Sequence, residues 1–530
     1  MPSLVTDEVR RRSTVIIGSG LKVDRMGTVL AESETATDTP IGYITYDDVV
    51  PNGNSKTQGI TCYMVTEDAD PPRGLYVRIG AQSSDTSFVG RILDGPFVTQ
   101  RPGAYYLIEL TSMHIGDQRT AIQSRPKPAT PVRLLKSEQV QEYIGALGDF
   151  KLGRLLGQQD VEVAVDSSTL SRHIGIFGTT GGGKSNTLQV IAEEASHSNR
   201  AVLIFDIEGE YVGMDKPTDA LIPVLEQFGK KPQGVKNMQV YVPAPNRSRN
   251  ADAKRFGIPF AEVDIEIFSE VLGLTSFERV YMYDVARKAK EVSGFRAYEI
   301  GTVLEVLKKR IDAQVDRDSL PEVVAEAHMG LYTKLSLAHR AGILDAHQAG
   351  EIFDKIPIAS LFVPGKISVI DVSESSDVVR NIVVAHLLKE IFNYKTRSTD
   401  STPILIFIEE IHTFLSKAKR RTMTATLTML MEMARQGRKR GIGLGMVSQQ
   451  PSLVPSELIE LCNTRFMHRI SSEPNIQVLR NSTGNVPDAL WSLLPSLGKG
   501  EVLISSPKYY QAVVARIRPN QSNRLRTEYS

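Results

Sequence analysis

The chain has 530 residues, 41% of them hydrophobic and 23% charged, with a formal net charge of +1, the composition of a globular protein with room for two to four domains. A charge so close to zero gives no global argument for nucleic-acid binding, so a DNA site would have to be a local basic lining. Only Cys62 and Cys462 occur, which excludes a disulfide scaffold or cysteine-based metal site, and with no expected signal peptide or membrane span we predict a cytoplasmic protein.

Residues 1–150 predict a small β-barrel or sandwich followed by a linker. Short β-rich runs recur about every eight to twelve residues and are separated by Gly, Pro, Asn and Asp clusters. These runs are Thr14–Ile17, Ile41–Tyr46, Thr61–Val65, Leu75–Ile79 and Tyr105–Leu110. Prolines at positions 126, 128 and 131 mark the linker. Because the region carries no chemical constellation, we expect it to have a structural or assembly role.

From residue 151 the pattern becomes an alternation of strands and helices, which is typical of a parallel sheet covered by helices. Gly178–Ser185 fits the P-loop motif, between an apolar strand-like run at 173–177 and a helix-like stretch at 185–197. A glycine turn at a helix N-terminus directs backbone N–H groups at one point, as a polyphosphate requires. We therefore predict that ATP is bound by Gly178, Thr179, Thr180, Gly181, Gly182, Gly183, Lys184, Ser185 and Asn186, with Lys184 on the β/γ-phosphates and Ser185 on Mg²⁺.

The following segments divide the predicted α/β region. Ala201–Asp206 reads as a buried strand ending in an acid, and Glu208–Tyr211 follows it. Residues 245–345 have helical spacing and little strand character, so we interpret them as a helical insertion. Alternation resumes at Ile367–Val372. The predicted domains are therefore 1–150, the ATPase core in two parts at 151–244 and 346–515, the insertion at 245–345, and a polar tail at 516–530.

Ile404–Ile408 followed by Glu409 and Glu410 has the Walker B form, in which a buried strand presents carboxylates beside the P-loop. A strand that ends in two glutamates is by itself most often a solvated turn, but an upstream P-loop favours the functional interpretation. We predict that Glu409 holds the Mg²⁺ shell and that Glu410 polarises the attacking water.

A third element is the run Ala434–Ser452. A helix with one apolar stripe ends in the basic cluster Arg435–Arg440, whose charges could be explained by the helix dipole alone. The strand that follows ends at Ser448 and Gln449. A polar amide at a strand end beside Walker B can sense the γ-phosphate or place water, which is the role predicted for Gln449.

Taken together, these motifs resemble the HerA branch of the FtsK–HerA superfamily over nearly the whole chain. The N-terminal region resembles its HAS barrel, Arg172-His173 its R-H-I segment, and Glu409-Glu410-Ile411-His412 its (D/E)-E-A-H motif. Ala434–Ser452 is similar to its A-R-x-G-R-K…S-Q-R-P-S signature, with Gln450 where Arg is common. The resemblance implies a RecA-like core, an arginine finger at Arg438 that reaches the neighbouring subunit's nucleotide, a basic residue near the nucleotide at Arg172, and a sensor at Gln449.

The resemblance also implies a homohexamer that passes DNA through a central channel and works with a nuclease of the NurA kind in DNA end repair, or with another effector in antiviral defence. The channel lining is expected to involve Lys417, Lys419, Arg420 and Arg421, or the segment Glu208–Tyr211; a solvated surface loop is an equal alternative for the four basic residues. The tail could brace a neighbouring subunit or remain disordered.

Three functions stay open at this point. The favoured one is an ATP-driven DNA translocase, which needs Lys184, Glu410 and Arg438 together. The second is a coupling ATPase for another polymer, as in conjugation or secretion. The third is a non-motor ring in which ATP stabilises a scaffold that activates a bound enzyme. Stimulation of turnover by DNA would separate the first from the other two.

Overall fold

The computed structural model describes residues 14–17, 21–24, 29–30, 39–45, 60–67, 69–81, 85–99, 102–294, 298–315, 322–345, 347–348, 351–415, 424–484 and 486–525. The chain forms two compact units, of which the first comprises residues 1–169 and 464–518 and the second residues 170–463 and 519–530. The domain boundaries drawn from the sequence stay a prediction.

The N-terminal part of the first unit is a closed barrel of six strands, as predicted. Strands β4, β10, β6, β7, β8 and β5 pair in that order, and an antiparallel pairing of β5 with β8 closes the ring. Apolar side chains such as Met64, Leu75, Val77, Ile79 and Ile108 are fully buried inside it. The strands are β1 Thr14–Ile17, β2 Leu21–Asp24, β3 Val29–Leu30, β4 Gly42–Thr45, β5 Thr61–Thr66, β6 Tyr76–Ile79, β7 Thr86–Val98, β8 Ala104–Ile115, β9 Gln118–Thr120 and β10 Pro131–Leu134.

The rest of the first unit is a group of five antiparallel strands in the order β12-β11-β24-β23-β22. Residues far apart in sequence meet here, because β11 pairs with β24. The elements are α1 Ser137–Ile144, β11 Phe150–Leu155, β12 Gln158–Val165, α2 Ser167–Leu170, β22 Thr464–Met467, α13 Glu473–Ser482, α14 Asp488–Trp491, the 3₁₀ turn Leu494–Ser496, β23 Glu501–Ser505 and β24 Val513–Ile517.

The second unit is built on seven parallel strands in the order β13-β21-β20-β14-β19-β15-β16. The central strands are apolar and buried along their length because helices cover both faces of a parallel sheet. All strands run the same way, so the sheet has one carboxyl edge and one amino edge. The strands are β13 Ile174–Phe177, β14 Ala201–Asp206, β15 Met238–Pro243, β16 Lys254–Phe256, β19 Ile367–Asp371, β20 Ile404–Ile408 and β21 Ile442–Ser448.

Ten helices accompany this sheet in the described residues. Helices α5–α8 lie within the stretch predicted to be a helical insertion, and Thr275 and Glu278 form a capping box that starts α6. The part of the chain that the structure describes has no helix long and apolar enough to span a bilayer. The helices are α3 Lys184–Ser196, α4 Ile222–Gln227, α5 Ile265–Val271, α6 Ser276–Val292, α7 Ile300–Val315, α8 Glu322–Arg340, α9 Asp377–Arg397, α10 His412–Leu415, α11 Thr424–Gln436 and α12 Ser456–Leu461, with 3₁₀ turns Phe260–Glu262, Ile358–Leu361, Gly437–Arg440 and Pro451–Leu453 and a two-stranded ribbon of β17 His347–Gln348 and β18 Glu351–Ile352.

The tail segment 519–525 lies along α3 of its own chain, and contact of the tail with a neighbouring subunit stays a prediction. Glu193 is buried, and its Oε1 atom accepts hydrogen bonds from the backbone N–H groups of Gln521 and Ser522, both at 2.8 Å, and from the Ser522 hydroxyl at 2.6 Å. Gln189 donates to the Ser522 carbonyl at 3.0 Å and to its Oγ at 2.9 Å. Two buried polar side chains of the P-loop helix thus find their partners in the tail.

Replacing Ser522 with alanine should lower the free energy of unfolding by about 1.5–3 kcal/mol, because it removes a buried hydrogen bond to a carboxylate. Urea unfolding would measure the change. The matched control is Ser456→Ala at an exposed position, where we expect a change within about 0.5 kcal/mol. Equal effects of the two substitutions would show that the tail is not held by these contacts.

Candidate nucleotide site

The P-loop connects β13 to α3 at the carboxyl edge of the sheet. Gly181 and Gly183 have φ angles of 73° and 120°, which L side chains rarely adopt, and the Gly182 N–H donates to the Thr179 carbonyl at 3.2 Å. The loop therefore turns tightly and delivers the N-terminus of α3 to the end of a buried strand. This is the strand–turn–helix context that a phosphate-binding loop requires.

Lys184 is the first residue of α3 and is buried beside the loop. Its Nζ donates to the Thr179 carbonyl at 3.3 Å. Burial lowers the pKa of the Lys184 ammonium, and the negative charges of Glu410 and Glu409 act in the opposite direction. An ammonium group among carboxylates at the mouth of a P-loop is placed to pair with phosphate oxygens.

The remaining predicted ligands surround this lysine. Ser185 and Asn186 are half-buried in the first turn of α3, and Asn186 Oδ1 accepts the backbone N–H of Asn520 at 3.0 Å. Thr180 is exposed, and its hydroxyl donates to Gln449 Oε1 at 2.6 Å. The sensor glutamine predicted from the sequence is thus in direct contact with the P-loop.

Glu409 follows the last residue of β20 and is buried. Its Oε1 accepts the Tyr211 hydroxyl at 2.7 Å, whereas its buried Oε2 has no hydrogen-bond partner among the described residues. Burial, reinforced by Asp206, raises the pKa of Glu409 well above its usual range. A cation next to Oε2 would supply the missing partner and favour the ionised carboxylate.

Glu410 has different partners from Glu409, and its carboxyl group is ionised more readily than that of Glu409. Its Oε2 lies 3.1 Å from His412 Nδ1 and accepts the Gln449 N–H at 3.3 Å. Burial alone would raise the pKa of Glu410, but the His412 hydrogen bond and the nearby Lys184 charge outweigh it, so the pKa is lowered. Its φ angle of 41° is unusual for a residue other than glycine, and such strain is often found at functional positions. Glu409 and Glu410 thus differ in their surroundings, and the division of roles between them stays a prediction.

Asp206 was predicted to end a strand that lines the ligand crevice, but neither Asp206 nor Tyr211 was predicted to act in the nucleotide site. Asp206 accepts backbone N–H groups from Gly209, Glu210 and Tyr211 at 2.7, 3.1 and 2.8 Å, and so shapes the loop that brings Tyr211 to Glu409. Burial, with a contribution from Asp371, raises the pKa of Asp206 to about 7. Asp206 and Asp371 are in register on neighbouring parallel strands. An acid at the end of each of two neighbouring strands is the sequence signal that points to Asp206 and Asp371.

Arg172 and Arg438 lie at the opposite edge of the sheet from the P-loop. Arg438 precedes β21, whereas Gln449 follows it, and the seven residues of that strand span about 20 Å. Arg172 likewise precedes β13, which ends at the P-loop. The predicted site residues thus form two groups, with Lys184, Glu409, Glu410 and Gln449 together and both arginines away from the P-loop of their own chain.

Within the basic cluster, Arg438 differs from Arg440. Arg440 donates to Thr396 Oγ1 at 3.1 Å and to Gln436 Oε1 at 3.0 Å, and it stacks on Phe392. Arg438 is exposed, and its guanidinium makes no hydrogen bond or ion pair with another described residue. Arg438 is therefore the more exposed of the two side chains.

Of the two segments predicted to line a DNA channel, the structure describes only one. Lys417, Lys419, Arg420 and Arg421 lie outside the described residues. Glu208–Tyr211 lies at the carboxyl edge, where Arg249 donates to the Gly209 carbonyl at 2.6 Å. Among the residues described, no set of three or more His, Cys, Asp or Glu side chains forms a metal cage. A Mg²⁺ ion held by one or two protein groups plus substrate phosphates needs no such cage.

A parallel sheet with a P-loop and a Walker B carboxylate pair at its carboxyl edge defines a RecA-like P-loop ATPase. Residues 150–391 match the family model described as "Helicase HerA, central domain". The chain is a P-loop ATP hydrolase whose central part is similar to that of HerA helicases.

One relative and two solved structures illustrate these similarities in sequence and in fold. The chain is 26% identical to the DNA double-strand break repair helicase HerA of Sulfolobus acidocaldarius over 72% of this chain and 71% of that protein. Its fold is similar to that of plasmid coupling protein TrwB in complex with ADP and Mg²⁺, with a TM-score of 0.51 and 13% identity over 74% of this chain and 94% of that one. VirB4 of Thermoanaerobacter pseudethanolicus gives a TM-score of 0.50 and 15% identity over 70% of this chain and 96% of that one.

Proposed function

We propose that this protein is an ATP-driven DNA translocase that works as a homohexamer with composite ATP sites. The observation that carries the proposal is the separation of the catalytic groups between the two edges of one sheet. A P-loop and a Walker B pair at one edge, with an exposed arginine at the other, form a complete site only when two copies of the chain meet. Repetition of such a head-to-tail contact closes into a ring.

The residues at the carboxyl edge divide the hydrolytic work. The P-loop N–H groups and Lys184 bind and orient the triphosphate, and Glu410, held ionised, orients the attacking water and accepts its proton. Ser185 and the unpartnered oxygen of Glu409 would hold Mg²⁺, which when bound neutralises charge on the phosphates. Gln449 contacts both the P-loop through Thr180 and Glu410 through its backbone, so it can report the state of the γ-phosphate.

DNA as the cargo is supported by the likeness to HerA helicases named for double-strand break repair. Phosphate contacts rather than base recognition would hold the strand in a channel. No nuclease constellation is evident in the sequence, so cutting would fall to a partner of the NurA kind, or to another effector in a defence system. A cytoplasmic location is part of the same proposal.

Steady-state ATP hydrolysis with and without linear duplex DNA tests the proposal, together with the mass of the protein in solution. We expect a hexamer whose turnover rises several-fold with DNA. A hexamer that hydrolyses ATP at the same rate with and without DNA, alone and with its partner nuclease, would contradict the choice of cargo. It would favour a motor for another polymer or an ATP-stabilised scaffold.

A further inference from the structure

His173 lies between the two arginines at the amino edge of the sheet. It is buried, with 3% of its surface exposed, and its backbone has a φ angle of 63°. Its Nε2 lies 2.6 Å from the Ala434 carbonyl, and its Nδ1 lies 2.9 Å from the Leu444 backbone nitrogen. A carbonyl only accepts and an amide N–H only donates, so the imidazole is neutral with its proton on Nε2. Both ring nitrogens therefore form hydrogen bonds with backbone groups.

These two contacts hold the segment that carries Arg438. Ala434 belongs to the last turn of α11, four residues before Arg438, and Leu444 lies in β21 just after it. Between them, Gly437 packs so closely on Ile442 that an added Cβ would lie 3.0 Å from its carbonyl oxygen. Gly441 closes the turn with a φ angle of 71°. Arg438 thus projects from a tight corner that the His173 ring fixes on both sides.

Arg172 directly precedes His173 in the chain, so the contacts of the His173 ring also restrict the position of the Arg172 backbone. The Arg172 carbonyl accepts the Asn463 N–H at 3.2 Å, which anchors its backbone from the other side. We propose that His173 is a positioning residue that sets the spacing of Arg172 and Arg438 so that both reach the nucleotide of a neighbouring subunit. This inference rests on the composite sites proposed above.

His173→Asn isolates the contact with Ala434. Asparagine tolerates a left-handed backbone and keeps an acceptor close to the Leu444 N–H, but it is too short to reach the Ala434 carbonyl. His173→Gln is the matched rescue, because its longer amide can donate to that carbonyl again. Burial lowers the pKa of His173, which agrees with a neutral ring that holds rather than transfers a proton.

We expect His173→Asn to lower the rate of ATP hydrolysis by about 10- to 100-fold while leaving the affinity for a fluorescent ATP analogue unchanged, because a small misplacement of a catalytic group has effects of this size. His173→Gln should recover part of the loss. In single-turnover assays, His173→Asn should slow the Arg438→Ala protein less than it slows wild type, since the part of its effect that passes through Arg438 is already lost.

The inference is overturned if the His173→Asn protein hydrolyses ATP within two-fold of the wild-type rate. It is also overturned if the substitution lowers the affinity for the ATP analogue, or if it slows the Arg438→Ala protein as much as it slows wild type. The last two results would indicate a general structural role. If Arg438→Ala itself is fully active, the composite site fails. If Arg438→Ala is impaired and His173→Asn is not, only the role of His173 fails.

Discussion

Glu410→Gln should abolish ATP turnover, with a loss of about 10²- to 10⁴-fold, while nucleotide binding is retained. The substitution keeps the shape of the side chain and removes the negative charge that His412 and Lys184 stabilise. A neutral amide cannot accept the proton of the attacking water. Binding should persist because the P-loop and Lys184 are untouched. Hydrolysis of radiolabelled ATP and binding of a fluorescent analogue would measure the two quantities separately.

Two comparisons make this experiment specific. Glu374→Gln removes an exposed carboxylate that follows β19 at the same edge of the sheet, and it should stay within a few-fold of wild type. Lys184→Ala should lose binding as well as turnover, because it removes the cation that pairs with the phosphates. If Glu374→Gln were as inactive as Glu410→Gln, the general charge of this edge would matter and Glu410 would have no special role.

Arg438→Ala and Glu410→Gln proteins should each be nearly inactive and should recover activity when mixed. An arginine finger is worth about 10³- to 10⁵-fold in related phosphoryl-transfer sites, so the single variant should lose most of its turnover. The two side chains lie at opposite edges of one sheet. In a mixed ring, a site between chains can therefore combine Glu410 of an Arg438→Ala subunit with Arg438 of a Glu410→Gln subunit.

With equal amounts and random assembly, about one quarter of the interfaces would hold both intact groups, so recovery toward that fraction of the wild-type rate is expected. Co-purification through a tag on one variant establishes that mixed rings form. The absence of recovery in such rings would show that Arg438 acts within its own subunit or in another role. Arg440→Ala is the matched control in the same basic cluster, because Arg440 is already bound to Thr396 and Gln436.

Local sequence patterns predicted the parallel sheet and the P-loop of the second unit well, because each of these features is encoded by a short continuous stretch of sequence. A buried strand that begins at Ile174, a glycine turn and a helix that begins at Lys184 follow one another directly, and the P-loop motif that they form is typical of phosphate binding. The same holds for Glu409 and Glu410 at the end of β20. The barrel was also predictable, since short strands separated by turn residues are typical of it.

Contacts between distant segments could not be read from such patterns. The bond of Tyr211 to Glu409 joins residues 198 positions apart, and only the strand order brings them together. The placement of Arg172 and Arg438 away from the P-loop follows from the direction of the parallel strands, which a motif does not state. The seating of the tail on α3 depends on buried Gln189 and Glu193, which in sequence look like ordinary polar helix residues.

That seating has a consequence for how the protein is made. Residues 521–523 supply partners of Gln189 and Glu193, yet they are synthesised more than 300 residues after the P-loop helix. Until these residues are made, Gln189 and Glu193 lack their contacts with the tail, and burying polar side chains without those hydrogen bonds is costly. The second unit should therefore reach its native packing only after residues 521–523 have emerged from the ribosome. Chains truncated before this segment should remain susceptible to proteolysis and should not assemble into the proposed ring.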